Sequence, residues 1–168
     1  AMKATAAQIF AELFSQYPAL LVCQDAIAQS FFILRDCYRN QGKVLICGNG
    51  GSAADAEHIV GELMKGFMRK RPLPAAQRAR FRALFPNDGA YLADHLQVAL
   101  PAIALTGQIA LSTAFLNDVA ADMIFAQQVY GYARPGDVVL GISTSGNSAN
   151  VLNALKVGNM PSRRLDNT

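Results

Sequence analysis

Residues 43–58 read Lys-Val-Leu-Ile-Cys-Gly-Asn-Gly-Gly-Ser-Ala-Ala-Asp-Ala-Glu-His. A short apolar run, 44–47, meets polar and glycine positions at 48–51, and an Ala-rich segment with helical spacing follows Ser52. That order predicts a buried strand, a tight glycine turn and a helix start. Glycines let the backbone come close to a ligand, and a fresh helix N-terminus offers unpaired N–H groups at a positive dipole end, so an anion is the natural guest. Ser52 is placed to cap the helix or to give its hydroxyl to a phosphate. The turn fits neither the dinucleotide fingerprint nor the phosphate loop that ends in Gly-Lys-Ser/Thr. By itself it is a common strand-to-helix turn.

A second stretch repeats the arrangement. Residues 137–148 read Asp-Val-Val-Leu-Gly-Ile-Ser-Thr-Ser-Gly-Asn-Ser. An apolar strand over 138–142 runs into Ser143, Thr144, Ser145 and Ser148, and a helical segment follows. These hydroxyls, with backbone amides, can wrap a phosphate without a lysine. One such turn is more simply a solvated serine turn capped by Ser148. Two, each between a strand and a helix, point to a ligand crevice at the carboxyl ends of parallel strands.

The two stretches together, with Glu62-Leu63 after the first, closely resemble the sugar isomerase (SIS) domain family, and within it the phosphoheptose isomerase branch that acts on sedoheptulose 7-phosphate. The resemblance runs over about 4–157. It implies a three-layer α/β/α sandwich with a mainly parallel sheet, in a single SIS domain over 1–168. It implies two amino-terminal oligomerising helices over 1–42 and the α/β core over 43–157. It implies aldose–ketose isomerisation through an enediol, with a phosphorylated sugar as substrate and a homodimer or homotetramer as the working form. On this chain the substrate-binding positions it implies are Asn49, Gly50, Gly51, Ser52, Glu62, Asn117, Asp118, Ser143, Thr144, Ser145 and Ser148. The resemblance implies Glu62 as the catalytic base and His58 with Glu62 as zinc ligands. The alternative is a non-catalytic phosphosugar-binding SIS protein that regulates or binds a partner, as the DnaA initiator-associating protein does.

Elsewhere the residues speak for themselves. A chain of 168 residues, 52% hydrophobic and 16% charged, suits one packed domain and argues against disorder. A net charge of +3 makes no case for nucleic acid. No run approaches membrane-spanning length and the amino terminus lacks a charged-then-apolar pattern, so a cytoplasmic location is expected. Cys23, Cys37 and Cys47 sit in apolar contexts without metal spacing and read as buried free thiols of a reducing compartment.

Ile9, Phe10, Leu13, Phe14 and Tyr17 mark a first helix that Pro18 stops. A second is predicted over 19–41, closed by Gly42. Its aromatic residues, Phe31 and Phe32 with Phe10 and Phe14, exceed what one sheet edge needs. After the first loop a helix runs from Ala53 to about Phe67. It sets His58 and Glu62 four apart on one face and leaves Glu57 solvated. Residues 68–90 break the pattern as a basic insertion: Arg69, Lys70, Arg71, Arg78, Arg80 and Arg82 come before any acid. His95 reads as structural or exposed. A second strand spans 101–106, a short helix 107–114, and a longer helix 119–133 that Asn117 or Asp118 would otherwise cap. Residues 158–168 form an irregular tail. The resemblance implies a further strand and a long final helix bearing a glutamine and a histidine. No residues here match them, so the carboxyl-terminal part reads as truncated or as carrying an altered tail.

Overall fold

The computed structural model describes residues 3–160. Two compact units divide the chain, residues 1–36 and 37–168.

In the first unit, helix α1 (Ala4–Gln16) ends before Pro18, whose ring cannot continue an α-helix. The predicted single helix over 19–41 is instead a 3-10 turn, Pro18–Cys23, followed by α2 (Gln24–Arg39). Phe10 packs against Phe14 and Phe31, and Phe31 against Phe32, with ring centroids 6.1, 5.6 and 5.5 Å apart. None of residues 3–36 is buried. Cys23 is only half-buried, unlike Cys37 and Cys47, because the 3-10 turn leaves its side chain near the surface. Beyond α2 the chain turns with Gln41, not Gly42, in the left-handed region (φ 61°).

The second unit is built on three parallel strands, β1 (Val44–Gly48), β2 (Ala102–Ala104) and β3 (Val138–Ile142), in the order β2-β1-β3. Val44 stands opposite both Ala102 and Val138. Every residue of β1 is buried while β3 is half-buried throughout, as expected of a central and an edge strand. Leu45 and Cys47 on one face of β1 join a core with Leu105, Phe125, Val129, Val151 and Ala154. The helices there are α7 (Ile124–Tyr132) and α8 (Ala149–Gly158). Helix α3 (Gly51–Met64) supplies no residue to that cluster and packs on β1 and β2 through Ala56. The sheet therefore lies between helices on both faces, the layered arrangement the resemblance implies.

Between α3 and β2 the basic stretch is not irregular. It folds into α4 (Ala75–Leu84) and α5 (Gly89–His95). Alanines and arginines after Pro74 are good helix formers, and Arg78 and Arg82 both pair with Asp94 across the two helices. Pro72 and Gln97 close this helical hairpin at its neck with one antiparallel bridge. After β2, a 3-10 turn (Leu105–Gly107) leads into α6 (Ile109–Asp118), longer than predicted. The predicted helix over 119–133 is shorter, a 3-10 turn (Ala121–Met123) and then α7. Gly158 is still helical, so the irregular tail does not begin there. Its residues 161–168 lie outside those described. Among the described residues no helix is long and apolar enough to cross a membrane.

Candidate active site

The carboxyl ends of β1 and β3 lie side by side, and their helices leave on opposite faces of the sheet. That is the switch point at which open α/β sheets leave a crevice. On the β1 side, Ser52 N–H donates to Asn49 O at 3.0 Å and closes a turn. Gly50 occupies its first central position at φ 55°, ψ −122°, the type II′ geometry that a side chain disfavours. The turn starts α3 at Gly51, with Gly50 as its N-cap residue. Ser52 is therefore inside the helix and does not cap it, because the turn brings the helix in early. Its backbone comes so close to the strand end that a Cβ on Gly48 would meet Ser52 O at 2.6 Å.

On the β3 side the hydroxyls converge. Ser143 Oγ lies 3.0 Å from Ser148 Oγ and 3.4 Å from Ser145 Oγ, and Ser145 Oγ accepts the Asn147 N–H at 3.2 Å. Gly146 turns the loop in the left-handed region (φ 68°). Ser148 occupies the N-cap position of α8, but its hydroxyl faces Ser143 and makes no capping bond. Thr144 is exposed. All these side-chain donors are neutral, so the loop can hold an anion by hydrogen bonds and the start of α8, a ten-residue helix.

A residue absent from the sequence reading joins the two sides. Asn150, in the first turn of α8, exchanges two hydrogen bonds with Asn49, each 2.9 Å. Its only sequence signal is an amide next to a serine loop.

His58 and Glu62 do share one face of α3, with Nε2 and Oε1 3.7 Å apart. They stand two and six residues beyond buried Ala56, roughly 200° and 240° around the helix, and so point away from the sheet. Their side chains are 77% and 43% exposed. Glu57 is not merely solvated: it accepts a hydrogen bond from Thr106 Oγ1 at 2.9 Å, which ties α3 to the turn after β2. Asn117 donates to Asp118 at 2.8 Å. Both close α6, and neither caps the helix that follows, because α6 runs on through them. His95 is exposed, as expected, and stacks on Tyr91.

Zinc binds four ligands in structural sites and three plus water in catalytic ones. Among the described residues no group of three or more His, Cys, Asp or Glu side chains is placed to hold a metal ion. His58 and Glu62 supply two donors only, so the residues present do not fit a complete zinc site. Cys47, at the end of β1, offers no thiolate either: burial pushes its thiol up to about 11.

Arg71, read in the sequence only as one charge of the basic stretch, holds the last turn of α3. Its guanidinium donates to Leu63 O at 2.6 Å, to Glu62 O at 3.4 Å and to Val98 O at 2.9 Å. A cavity of about 320 Å³ lined by Gln77, Arg80, Phe81, Leu84 and Phe85 belongs to α4 and includes none of the site residues.

With this geometry in view, comparison with known proteins gives the family. The SIS domain model matches residues 20–92 and 79–160. The chain belongs to the SIS domain family. It is 42% identical over 132 residues to a phosphoheptose isomerase of Chlorobaculum parvum, covering 79% of this chain and 52% of that protein. It is 40% identical over 134 residues to a phosphoheptose isomerase of Rhodospirillum rubrum, covering 80% and 57%. The chain thus spans little more than half the length of these curated relatives. Among solved structures, the phosphoheptose isomerase GmhA of Neisseria gonorrhoeae superposes with a TM-score of 0.62 at 33% identity, covering 91% of this chain and 66% of that one. A phosphoheptose isomerase of Francisella tularensis gives 0.62 at 31% identity, with 92% and 70% covered.

Proposed function

We propose that this chain is the phosphosugar-binding and base-bearing part of a phosphoheptose isomerase, converting sedoheptulose 7-phosphate between ketose and aldose forms. The observation that carries the reading is the cluster of Ser143, Ser145 and Ser148 hydroxyls at the start of α8, beside the glycine turn after β1. The names of its relatives supply the sugar. Such an isomerase removes a proton alpha to a carbonyl and returns it to the neighbouring carbon through an enediol. Glu62 is the base in this proposal. The phosphate rests on residues 143–148 and the turn at 49–52, while Asn117 and Asp118 reach the sugar.

His58 with Glu62 binds zinc only if further ligands come from outside the described residues, so no step is assigned to a metal. We also propose a homo-oligomer built on α1 and α2, working in the cytoplasm, where its three free thiols stay reduced. A second reading has support of its own. The exposure of His58 and Glu62 and the lack of a third metal ligand among the described residues favour a non-catalytic phosphosugar-binding protein that regulates a partner.

A coupled assay for sedoheptulose 7-phosphate turnover separates the two. Glu62→Gln keeps shape and hydrogen bonding but removes basicity, so turnover should fall about 10²–10⁴-fold with phosphosugar binding nearly intact. Turnover that survives the change refutes Glu62 as the base. Tight binding with no turnover by the full-length protein favours the regulator.

A further inference from the structure

The loops after β1 and β3 diverge, because α3 leaves on one face of the sheet and α8 on the other. Among the described residues a single side-chain link spans them, the reciprocal pair Asn49 Nδ2 to Asn150 Oδ1 and Asn150 Nδ2 to Asn49 Oδ1, both 2.9 Å. Two antiparallel amide hydrogen bonds fix both separation and orientation, which one bond does not. Asn150 is itself anchored: it lies in the first turn of α8, and its Oδ1 also accepts the Val151 N–H at 3.0 Å. The partners are 101 residues apart in the chain, and Asn49 is exposed to water. An exposed neutral pair adds little to stability, so its consequence is geometric.

We propose that Asn150 is a positioning residue of the anion crevice. With Asn49 it forms a clasp that sets the spacing between the glycine turn at 49–52 and the hydroxyl cluster at 143–148. A phosphosugar then meets both loops already in place, without the cost of ordering them on binding. The inference rests on the reading that a phosphosugar binds here, and its test keeps the two apart.

Affinity for inorganic phosphate and for sedoheptulose 7-phosphate is measured by calorimetry on the whole chain and on Asn49→Ala, Asn150→Ala, the double variant and Asn150→Asp. Asn150→Ala should weaken sugar-phosphate binding at least about fivefold, and the double variant should bind no more weakly than Asn49→Ala alone. Independent contacts would instead give losses that multiply. Asn150→Asp adds a signature that a general packing defect lacks. As a carboxylate it cannot donate to Asn49, so it should bind poorly at neutral pH. Relative to the parent chain it should recover as the pH falls toward about 4, where a protonated carboxyl donates and accepts like the amide. Parental affinity in Asn150→Ala, multiplying losses, or no recovery of Asn150→Asp in acid overturns the clasp while leaving the phosphosugar reading standing. If the parent chain binds neither ligand, that reading fails and the clasp fails with it.

Discussion

Asp137 turns the chain into β3 with its side chain only 5% exposed, and it is fully used. Burial alone would raise its pKa. Lys43 Nζ and the backbone N–H groups of Lys43 and Arg134 outweigh that and hold it below the ordinary carboxylate value. The pair joins the residue before β1 to the residue before β3, so it sets the register of the two strands whose far ends form the crevice. A carboxyl whose pKa is depressed by folding contributes stability above its unfolded value, near 3.9. That contribution fades as the pH falls through the lower folded value. Asp137→Asn should therefore cost about 1.5–3 kcal/mol at neutral pH, measured by denaturant unfolding. The gap to the parent chain should narrow in acid below about pH 4. A gap that stays constant down to the acid transition would show that the charge plays no part. Local sequence does not disclose such a pair: Lys43 and Asp137 look like ordinary strand-flanking charges until the sheet order is known.

At the scale of elements, β1 and β3 were legible because a strand buried in a parallel sheet reads as an unbroken apolar run, and their predicted and observed limits differ by at most one residue. Helix starts were less so. The start of α3 is set by the type II′ turn at Gly50, a backbone fact that Ser52, a favourable cap by composition, obscures. The arginines of 68–90 suggested a solvated break, yet three of the five lie in α4, where Arg78 and Arg82 meet an acid twelve or more residues away. Arg71 shows what that hairpin does for the site. By bonding Glu62 O, Leu63 O and Val98 O it fastens the neck of the hairpin to the turn that carries the proposed base. Arg71→Ala leaves the last carbonyls of α3 without their charged donor and should cost about 1.5–3 kcal/mol. Faster amide exchange should appear over 62–66, read by hydrogen exchange. Arg71→Lys should recover only part, since an ammonium lacks the planar fork that reaches both segments. Full recovery by lysine would reduce the contact to simple charge.

For the whole molecule, the crevice was legible as two loops but not as one site. Asn49 and Asn150 meet only because β1 and β3 are neighbours, and the sheet order is not written in either motif. The amino-terminal helices pose the opposite case. Their aromatic excess was plain in the sequence, and in the structure it is met only in part: Phe10, Phe14, Phe31 and Phe32 pack on one another, but no residue from 3 to 36 is buried. Ile9 and Ile33 are 55% and 57% exposed, and Val22 is 92% exposed. Helices with so wide an apolar surface are stable in water when something covers them. In the proposed homo-oligomer that cover is the same pair of helices from another copy. Light scattering at micromolar concentration should give a dimer or larger. Full burial of an isoleucine side chain is worth about 1.5–3 kcal/mol, and these two are roughly half exposed, so covering each contributes on the order of 1 kcal/mol per copy. Ile9→Glu and Ile33→Glu reverse that gain and add a charge to be desolvated, so either should shift the assembly toward monomer by tenfold or more in dissociation constant, about 1.4 kcal/mol. Neither substitution touches the crevice, so phosphosugar affinity per chain measures the site separately from assembly. A monodisperse monomer at high micromolar concentration would rule out α1 and α2 as the oligomer contact.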